Sequence, residues 1–291
     1  MTKATITFDR LLDSQCLTST DPADIFTDWH GDKENWLFVA PHDDDIVCGA
    51  GLTFLTALAL GVKTNVVITS DGQMGYCRKE HIRQIADIRH DEAQRSFAMM
   101  GLPLDNITFL NFPDCNFSSY LGRRFIDDDT NTNTSTNVEP FAIANAVGLQ
   151  NSYTWVLRRI RPTRVFLPSI TDIHPDHQAV TKEFTISIFH ASGGIWPELG
   201  EKIETIPHLY EYATYSDFIS PPTIRIRTPQ ELLEKKLEGI RAYKSQEQIE
   251  LLVDIQRKIG AKEFIREKRF EVFQPSKCDE LFEAKSLVIP R

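Results

Sequence analysis

The chain has 291 residues, of which 41% are hydrophobic and 25% are charged, and its formal net charge is -9. This composition is typical of a globular protein, and the acidic balance without a basic stripe excludes nucleic acid as the expected partner. No apolar run reaches the ~20 residues that cross a bilayer, and the amino terminus lacks a signal-peptide core, so we expect no membrane association. The five cysteines show no CxxC spacing, which favours reduced thiols and a cytoplasmic location.

The first half of the chain alternates between strand and helix patterns after a mixed lead-in over residues 1–35. The continuous apolar run Trp36–Ala40 predicts a buried parallel strand. A helix is predicted from the glycine-rich segment at Gly49 to Leu60, where Gly61 ends it. A strand, a long helix and a further strand are then predicted at Lys63–Thr69, His81–Met100 and Ile107–Phe112.

The second half repeats this alternation. Residues 126–138 are polar and low in complexity, which predicts a surface loop. Residues 230–291 are charged and predicted to form a mostly helical C-terminal extension. Strands alternating with helices predict a single α/β domain over residues 1–291, a three-layer, mainly parallel Rossmann-like sheet with helices on both faces. The predicted helices and strands of this half are Ala142–Ile160, Val165–Leu167, Ala179–His190, Leu209–Tyr215 and Leu232–Tyr243.

Two short polar segments follow predicted strands and together indicate a metal site. The first is Pro41-His42-Asp43-Asp44-Asp45, directly after Ala40, and the second is His174-Pro175-Asp176-His177. Imidazole and carboxylate groups are ligands that Zn²⁺ prefers. Because open α/β sheets place their active sites at the carboxyl ends of strands, the site is predicted at that edge of the sheet.

The spacing within these segments suggests a role for each residue. His42 and Asp45 are three apart in a turn, so both can reach one ion, and His177 is the better third ligand. Two imidazoles and one carboxylate leave positions open for water and substrate, as in catalytic zinc sites. Asp44 need not be a ligand, and a carboxylate beside a metal can accept a proton from bound water. His174 would face the substrate and stabilise an oxyanion or protonate a leaving amine.

The order of these and further motifs resembles the LmbE-like (PIG-L) family of zinc-dependent N-deacetylases. The family's Ala-His-Pro-Asp-Asp-Glu motif corresponds to Pro41–Ile46, and its His-Pro-Asp-His motif is intact at 174–177. The resemblance spans about residues 36–190 and, more weakly, Tyr243–Gln246. Between the two motifs lie a glycine-rich helix start, a Thr-x-Gly-Glu-x-Gly loop and an Arg-x-x-Glu segment, at Gly49–Leu52, Thr69–Gly75 and Arg89–Glu92.

The resemblance implies an enzyme that removes the acetyl group from an N-acetylglucosamine-type sugar or its conjugate. It implies a bound Zn²⁺, with Fe²⁺ also possible on the same ligands. It also implies ligands, catalytic groups and sugar contacts at particular positions. The ligands would be His42, Asp45 and His177, the general base Asp44, the oxyanion-stabilising or acid group His174, its orienting partner Asp176, and the sugar contacts Arg89 and Asp114.

Two positions depart from the family motif, because Asp43 replaces its proline and Ile46 replaces its glutamate. Asp43 adds a third adjacent carboxylate and could compete with Asp45 for the metal. The spare carboxylate leaves a two-metal phosphoesterase, or another metallohydrolase, open as an alternative. The two departures also leave open a non-catalytic carbohydrate-binding relative. The expected partner is a small N-acetylated sugar or conjugate, and the sequence leaves the oligomeric state open.

Overall fold

The computed structural model describes residues 5–12, 15–126, 139–271 and 274–285. Their strands are β1 (Thr7–Leu12), β2 (Gln15–Ser19), β3 (Asn35–Ala40), β4 (Lys63–Ser70), β5 (Ile107–Phe112), β6 (Arg124–Phe125), β7 (Ala142–Ile143), β8 (Ala146–Val147), β9 (Arg164–Pro168), β10 (His208–Tyr212), β11 (Ile224–Arg227) and β12 (Lys262–Lys268). Their α-helices are α1 (Asp45–Gly49), α2 (Gly51–Ala59), α3 (Ile85–Met100), α4 (Leu149–Ile160), α5 (Pro175–Gly193), α6 (Gln230–Arg241), α7 (Ile249–Ile259) and α8 (Pro275–Lys285).

Nine strands form one mixed sheet in the order β2-β1-β11-β12-β10-β9-β3-β4-β5. The strands from β10 to β5 pair in parallel. The strands from β2 to β10 pair antiparallel and extend the sheet on one side. The mainly parallel sheet predicted from the sequence is therefore confirmed for the central strands, and four antiparallel strands are added to it.

Helices cover both faces of the central strands. All six residues of β3 are buried. Trp36 and Phe38 belong to the core on the side of α2, α3, α6 and α7, whereas Leu37 and Val39 belong to the core on the side of α4 and α5. Because successive strand residues point to opposite faces, a strand buried on both sides is a continuous apolar run. The three-layer prediction is confirmed.

Several predicted boundaries differ from the structure. The helix predicted over 142–160 begins at Leu149, because residues 142–147 form β7 and β8. The C-terminal extension contains strand β12, which pairs with β10 and β11, within the part predicted as mostly helical. The predicted loop 126–138 lies outside the described residues except for Ile126. Among the described helices, none combines the length and apolar character needed to span a membrane.

A buried ion pair connects the segment before β3 to the sheet. The side chains of Glu34 and Arg164 are fully buried, and Arg164 Nη2 lies 3.0 Å from Glu34 Oε1. Glu34 Oε2 accepts hydrogen bonds from Trp36 Nε1 and Thr163 Oγ1, both at 2.7 Å. Arg164 Nη1 donates to the hydroxyl of Tyr210 at 3.1 Å. The pair thus links β3, β9 and β10.

We expect Glu34→Ala to lower the free energy of unfolding by about 3–5 kcal/mol, because it leaves the charge of Arg164 buried without its partner. Urea denaturation followed by circular dichroism measures this loss. The matched control is Glu250→Ala, since Glu250 pairs with Arg241 through a side chain that is 72% exposed. Exposed pairs contribute at most about 1 kcal/mol. Equal losses in the two variants would contradict the prediction.

The same pair predicts how stability depends on pH. Burial raises the pKa of Glu34, but hydrogen bonds from the His30 amide and Thr163 and the charge of Arg164 outweigh burial, so the pKa lies below 4.5. A depressed pKa contributes stability above the unfolded-state value, and this contribution is lost as the pH falls through the folded-state value. The stability difference between wild type and Glu34→Gln should therefore stay constant near neutral pH and shrink below pH 4.5.

Candidate metal centre

The two sequence motifs meet at the carboxyl edge of the parallel strands. The segment 42–45 follows β3, and the segment 172–177 follows β9. Asp114 lies just beyond β5, and Tyr215 lies just beyond β10. Because adjacent parallel strands end at the same edge, residues far apart in sequence lie close together there.

Three donor atoms at this edge form a nearly equilateral triangle. Asp45 Oδ2 lies 3.1 Å from His42 Nδ1 and 3.2 Å from His177 Nε2, and the two ring nitrogens are 3.3 Å apart. A tetrahedral ion bound at about 2.0–2.1 Å holds its ligands about 3.3–3.4 Å apart, so the triangle fits Zn²⁺. Asp45 Oδ1 is also buried and accepts no hydrogen bond from the described residues.

Local helix geometry positions these three donors. Asp45 is the first residue of α1, and its Oδ2 accepts a hydrogen bond from the backbone N–H of His42 at 2.7 Å. His177 lies in the first turn of α5, where Pro175 occupies a position that needs no N–H. His174 is the N-cap of the same helix. The two strand-to-helix turns therefore direct the side chains of both motifs toward one point.

A carboxylate lies behind each imidazole, on the side away from the triangle. His42 Nε2 is 3.1 Å from Asp114 Oδ1 and 3.5 Å from Asp176 Oδ2, and His177 Nδ1 is 3.4 Å from Asp172 Oδ2. Such a carboxylate fixes the tautomer and orientation of a metal-binding histidine. His42, Asp114 and Asp176 are close enough to surround a cation themselves. His42, His174 and His177 form a further group with donor atoms this close together.

The carboxylates make this region strongly negative. Burial opposes protonation of His42, yet Asp114, Asp176 and Asp45 raise its pKa well above 6.5. Burial likewise opposes protonation of His177, but chiefly Asp45 raises its pKa to about 9. Burial disfavours the charged form of Asp45, but the two rings hold its pKa far below its ordinary value. An environment that favours protons on both rings also favours a divalent cation.

Asp43 and Asp44 both contact Arg89. Arg89 donates from Nε to Asp43 Oδ2 at 2.8 Å and from Nη2 to Asp43 Oδ1, and Nη2 lies 3.0 Å from Asp44 Oδ2. Burial raises the pKa of Asp43 to about 7, whereas the guanidinium of Arg89 opposes this rise and favours the carboxylate. Asp43 therefore faces Arg89 and does not compete with Asp45 for the metal. The side chain of Asp44 keeps 20% of its surface exposed.

The role predicted for Asp176, as the partner that orients His174, stays a prediction. The backbone N–H of Asp176 donates to His174 Nδ1 at 3.2 Å. Its carboxylate accepts a hydrogen bond from the Cys115 N–H at 2.9 Å and faces His42. Because Nδ1 of His174 accepts, the neutral ring carries its proton on Nε2. Burial and the charges of His42 and His177 lower the pKa of His174, so the ring is neutral at neutral pH.

Arg89 and Asp114, the two predicted sugar contacts, are buried and pair with other residues of the chain. Arg89 is 4% exposed and Asp114 is 7% exposed. Asp114 Oδ1 faces His42, while Oδ2 accepts a hydrogen bond from the Met74 N–H at 3.2 Å. Contact of either residue with a substrate stays a prediction. In the structure, Arg89 contacts Asp43 and Asp44, and Asp114 contacts His42.

Asp172 contributes to the centre although it lies outside both sequence motifs. Its fully buried carboxylate accepts hydrogen bonds from the backbone N–H of His174 at 3.0 Å and of Tyr215 at 3.1 Å. It also lies 3.4 Å from His177 Nδ1. Its sequence signal is a position two residues before His174, but its contact with the loop after β10 depends on the fold.

We expect Asp172→Asn to weaken metal binding about 10–100-fold, as the loss of a carboxylate behind a metal-binding histidine does. Competition with a chromophoric chelator measures this affinity. Asp217→Asn is the matched control, because Asp217 lies in the neighbouring loop and is exposed. An unchanged affinity in Asp172→Asn, or an equal loss in the control, would contradict the role assigned to Asp172.

The sheet and its strand-end donor triangle are those of a metal-dependent α/β hydrolase. The chain belongs to the PIG-L family, because the family model described as GlcNAc-PI de-N-acetylase matches residues 37–189, more than half of the chain. This match confirms the resemblance seen in the motifs and, with it, the enzyme class of N-deacetylase. Among curated proteins, none matches the chain.

Three solved structures show the same fold. The N,N'-diacetylchitobiose deacetylase of Pyrococcus horikoshii is 23% identical with a TM-score of 0.59, over 81% of this chain and 84% of that chain. A conserved protein of Thermus thermophilus is 22% identical with a TM-score of 0.61, over 83% and 98%. The 4-carboxy-2-hydroxymuconate hydratase GalB of Pseudomonas putida is 18% identical with a TM-score of 0.57, over 83% and 98%. Since one of them is a hydratase, the fold alone does not determine the reaction.

Proposed function

We propose that this chain is a zinc-dependent hydrolase that removes the N-acetyl group from an N-acetylglucosamine-type sugar or its conjugate. The observation that carries the proposal is the donor triangle of His42, Asp45 and His177 with the partly exposed carboxylate of Asp44 next to it in sequence. Membership of the PIG-L family supports the same reaction. The similar fold of a chitobiose deacetylase supports a sugar substrate.

The residues around the triangle have separate roles in the proposed reaction. His42, Asp45 and His177 would hold a zinc ion, which would supply an acidified water, with a pKa of about 7, and would polarise a carbonyl oxygen. Asp44 accepts a proton from the attacking water and, once protonated, delivers it to the amide nitrogen as the C–N bond breaks, which releases acetate and the amine. His174, neutral and protonated on Nε2, donates to the oxygen that becomes negative as the acetyl carbon turns tetrahedral. Asp114 and Asp172 keep the two metal-binding rings in their orientations.

The two-metal phosphoesterase is the less well supported alternative. Two-metal sites hold their ions about 3.5–4 Å apart. Here the imidazole of His42 separates the triangle from Asp114 and Asp176. Asp43 pairs with Arg89, so it is not a ligand for a second metal. Fe²⁺ fits the same ligands as Zn²⁺, so the metal is part of the proposal.

We also propose that residues 1–291 form one catalytic domain, because β1, β2, β11 and β12 continue the sheet that carries the site. All five cysteines are free thiols, which supports the proposed cytoplasmic location. The partner in this proposal is a small N-acetylated sugar or sugar conjugate.

Acetate release from a panel of N-acetylated sugars and sugar conjugates tests the function. The protein is stripped of metal and then given one equivalent of Zn²⁺, or of Fe²⁺ under anaerobic conditions. Metal-dependent release supports the deacetylase, and the better metal identifies the cofactor. One tightly bound metal without release across the panel would favour a carbohydrate-binding relative, and two tightly bound metals would favour the phosphoesterase.

A further inference from the structure

Tyr215 lies beside the metal centre although it belongs to neither sequence motif. Its ring centre is 5.9 Å from that of His174, with 25° between the two planes, and 5.2 Å from that of His177, with 48° between the planes. The residue nevertheless keeps 57% of its surface exposed. Part of the ring therefore packs on two imidazoles of the centre, and much of its remaining surface faces solvent.

The loop that carries Tyr215 is held against the segment before α5. The backbone N–H of Tyr215 donates to Asp172 Oδ2 at 3.1 Å, and Ser216 Oγ donates to the backbone oxygen of Thr171 at 3.0 Å. The other oxygen of Asp172 accepts a hydrogen bond from the backbone N–H of His174 at 3.0 Å. Because one carboxylate binds the backbones of both Tyr215 and His174, the two rings are preorganised next to each other before a ligand binds.

The polar groups next to Tyr215 are buried, whereas its exposed neighbour in this region is apolar. His177 and Asp172 are fully buried, but Ile173, directly before His174 in the chain, is 72% exposed. Binding sites for small molecules combine apolar and aromatic surface with a few polar groups that fix the orientation of the ligand. Tyr215 and Ile173 supply such apolar surface at the metal centre, which itself supplies the polar groups.

A closed sugar ring can pack on an aromatic surface of this kind. A pyranose carries C–H groups on its two faces and hydroxyl groups at its rim, and the negative face of an aromatic ring attracts C–H groups. In the proposed reaction His174 donates to the acetyl oxygen, and the sugar carbon that bears the acetamido group is bonded directly to the amide nitrogen. A sugar whose acetyl oxygen reaches His174 therefore has its ring within reach of Tyr215.

We propose that Tyr215 is a specificity-determining residue, whose ring packs against the C–H face of the amino sugar that carries the acetyl group. This inference rests on the proposed function, since it places the sugar of that reaction. It narrows the substrate class to N-acetylated sugars in the closed-ring form, because an open chain presents no flat C–H face to the aromatic ring.

The methyl glycoside of N-acetylglucosamine and the open-chain N-acetylglucosaminitol test this contact, because both carry the acetamido group and only the first has a closed ring. In zinc-loaded wild type, kcat/KM for acetate release should be about tenfold higher for the closed ring, which is the contribution expected of one aromatic contact. Tyr215→Ala and Tyr215→Leu should lose this preference through a higher KM for the closed ring. Tyr215→Phe should retain the preference, because it keeps the aromatic ring.

Phe189→Ala is the matched control, because Phe189 is an exposed aromatic residue near the far end of α5, and it should retain the preference. An undiminished preference in both Tyr215→Ala and Tyr215→Leu would overturn the proposal. A lower kcat at unchanged KM in Tyr215→Phe would also overturn it, since the hydroxyl and not the ring surface would then act in the reaction.

Calorimetric titration of zinc-loaded protein with the methyl glycoside tests the same contact without turnover, in the Asp44→Asn background that lacks the proposed base. Adding Tyr215→Leu should raise Kd about tenfold, and adding Tyr215→Phe should raise it much less. Zinc content and circular dichroism establish that the compared proteins are folded and loaded. Equal Kd values with and without Tyr215→Leu would overturn the contact. If Kd depended on Tyr215 in this way while wild type released no acetate, the proposed function would fail and the contact would stand.

Discussion

Asp44→Asn is expected to lower turnover by about 10²–10⁴-fold while the protein still binds one metal ion per chain. The amide keeps the shape of the carboxylate, but it cannot accept a proton from water. The three donors of the triangle do not include Asp44, so metal binding should not change. Initial rates of acetate release and metal content by mass spectrometry measure the two quantities on the same samples.

The matched control for this variant is Asp105→Asn, because Asp105 is exposed and lies before β5, at the opposite end of that strand from the site. Its turnover should equal that of wild type. Normal turnover in Asp44→Asn would refute its assignment as the base. Loss of the metal together with turnover would instead make Asp44 a ligand, which the observed triangle does not include.

The parallel half of the fold could be predicted because its strands are buried on both faces. Trp36–Ala40 and Val165–Leu167 are unbroken apolar runs, and each precedes a motif that begins a helix. Since parallel strands share a carboxyl edge, it follows that His42 and His177 meet. The positions of these two histidines in the structure agree with that reasoning.

Strand β12 of the antiparallel extension could not be predicted, because its charged residues do not alternate with apolar ones as in a half-buried strand. β12 has the sequence KEFIREK, and two of its seven residues are buried. Lysine, glutamate and arginine favour helices in isolation, but pairing with β10 and β11 outweighs that preference. The conformation of β12 is therefore decided by strands that are distant in the sequence.

The partners of the carboxylates were equally hidden in the sequence. The sequence alone does not distinguish three adjacent aspartates, yet Asp45 faces two imidazoles and Asp43 faces Arg89. The turn into α1 points the three aspartate side chains in different directions. The sequence likewise does not reveal the partner of Asp176, whose carboxylate faces His42.

Removal of the metal is expected to abolish turnover, and one equivalent of Zn²⁺ should restore it. The ion should also raise Tm, because binding to the folded state alone stabilises it by about 2.7 kcal/mol at a free concentration of 100 times Kd. In the metal-free protein the pKa of His177 is raised chiefly by Asp45, and that of His42 by Asp114, Asp176 and Asp45, so both rings favour the protonated form. Binding of zinc must displace these protons, so the affinity should rise with pH.

Asp45→Asn should reduce this affinity by more than the 10–100-fold expected for Asp172→Asn, because Asp45 Oδ2 is the donor closest to both rings. Asp45→Asn removes a negatively charged ligand, whereas Asp172→Asn removes only the carboxylate that orients the ligand His177. Calorimetric titration of both variants at one pH compares the two losses directly. If Asp45→Asn bound zinc as tightly as wild type while His42→Ala did not, the ion would lie on the other side of His42, between Asp114 and Asp176.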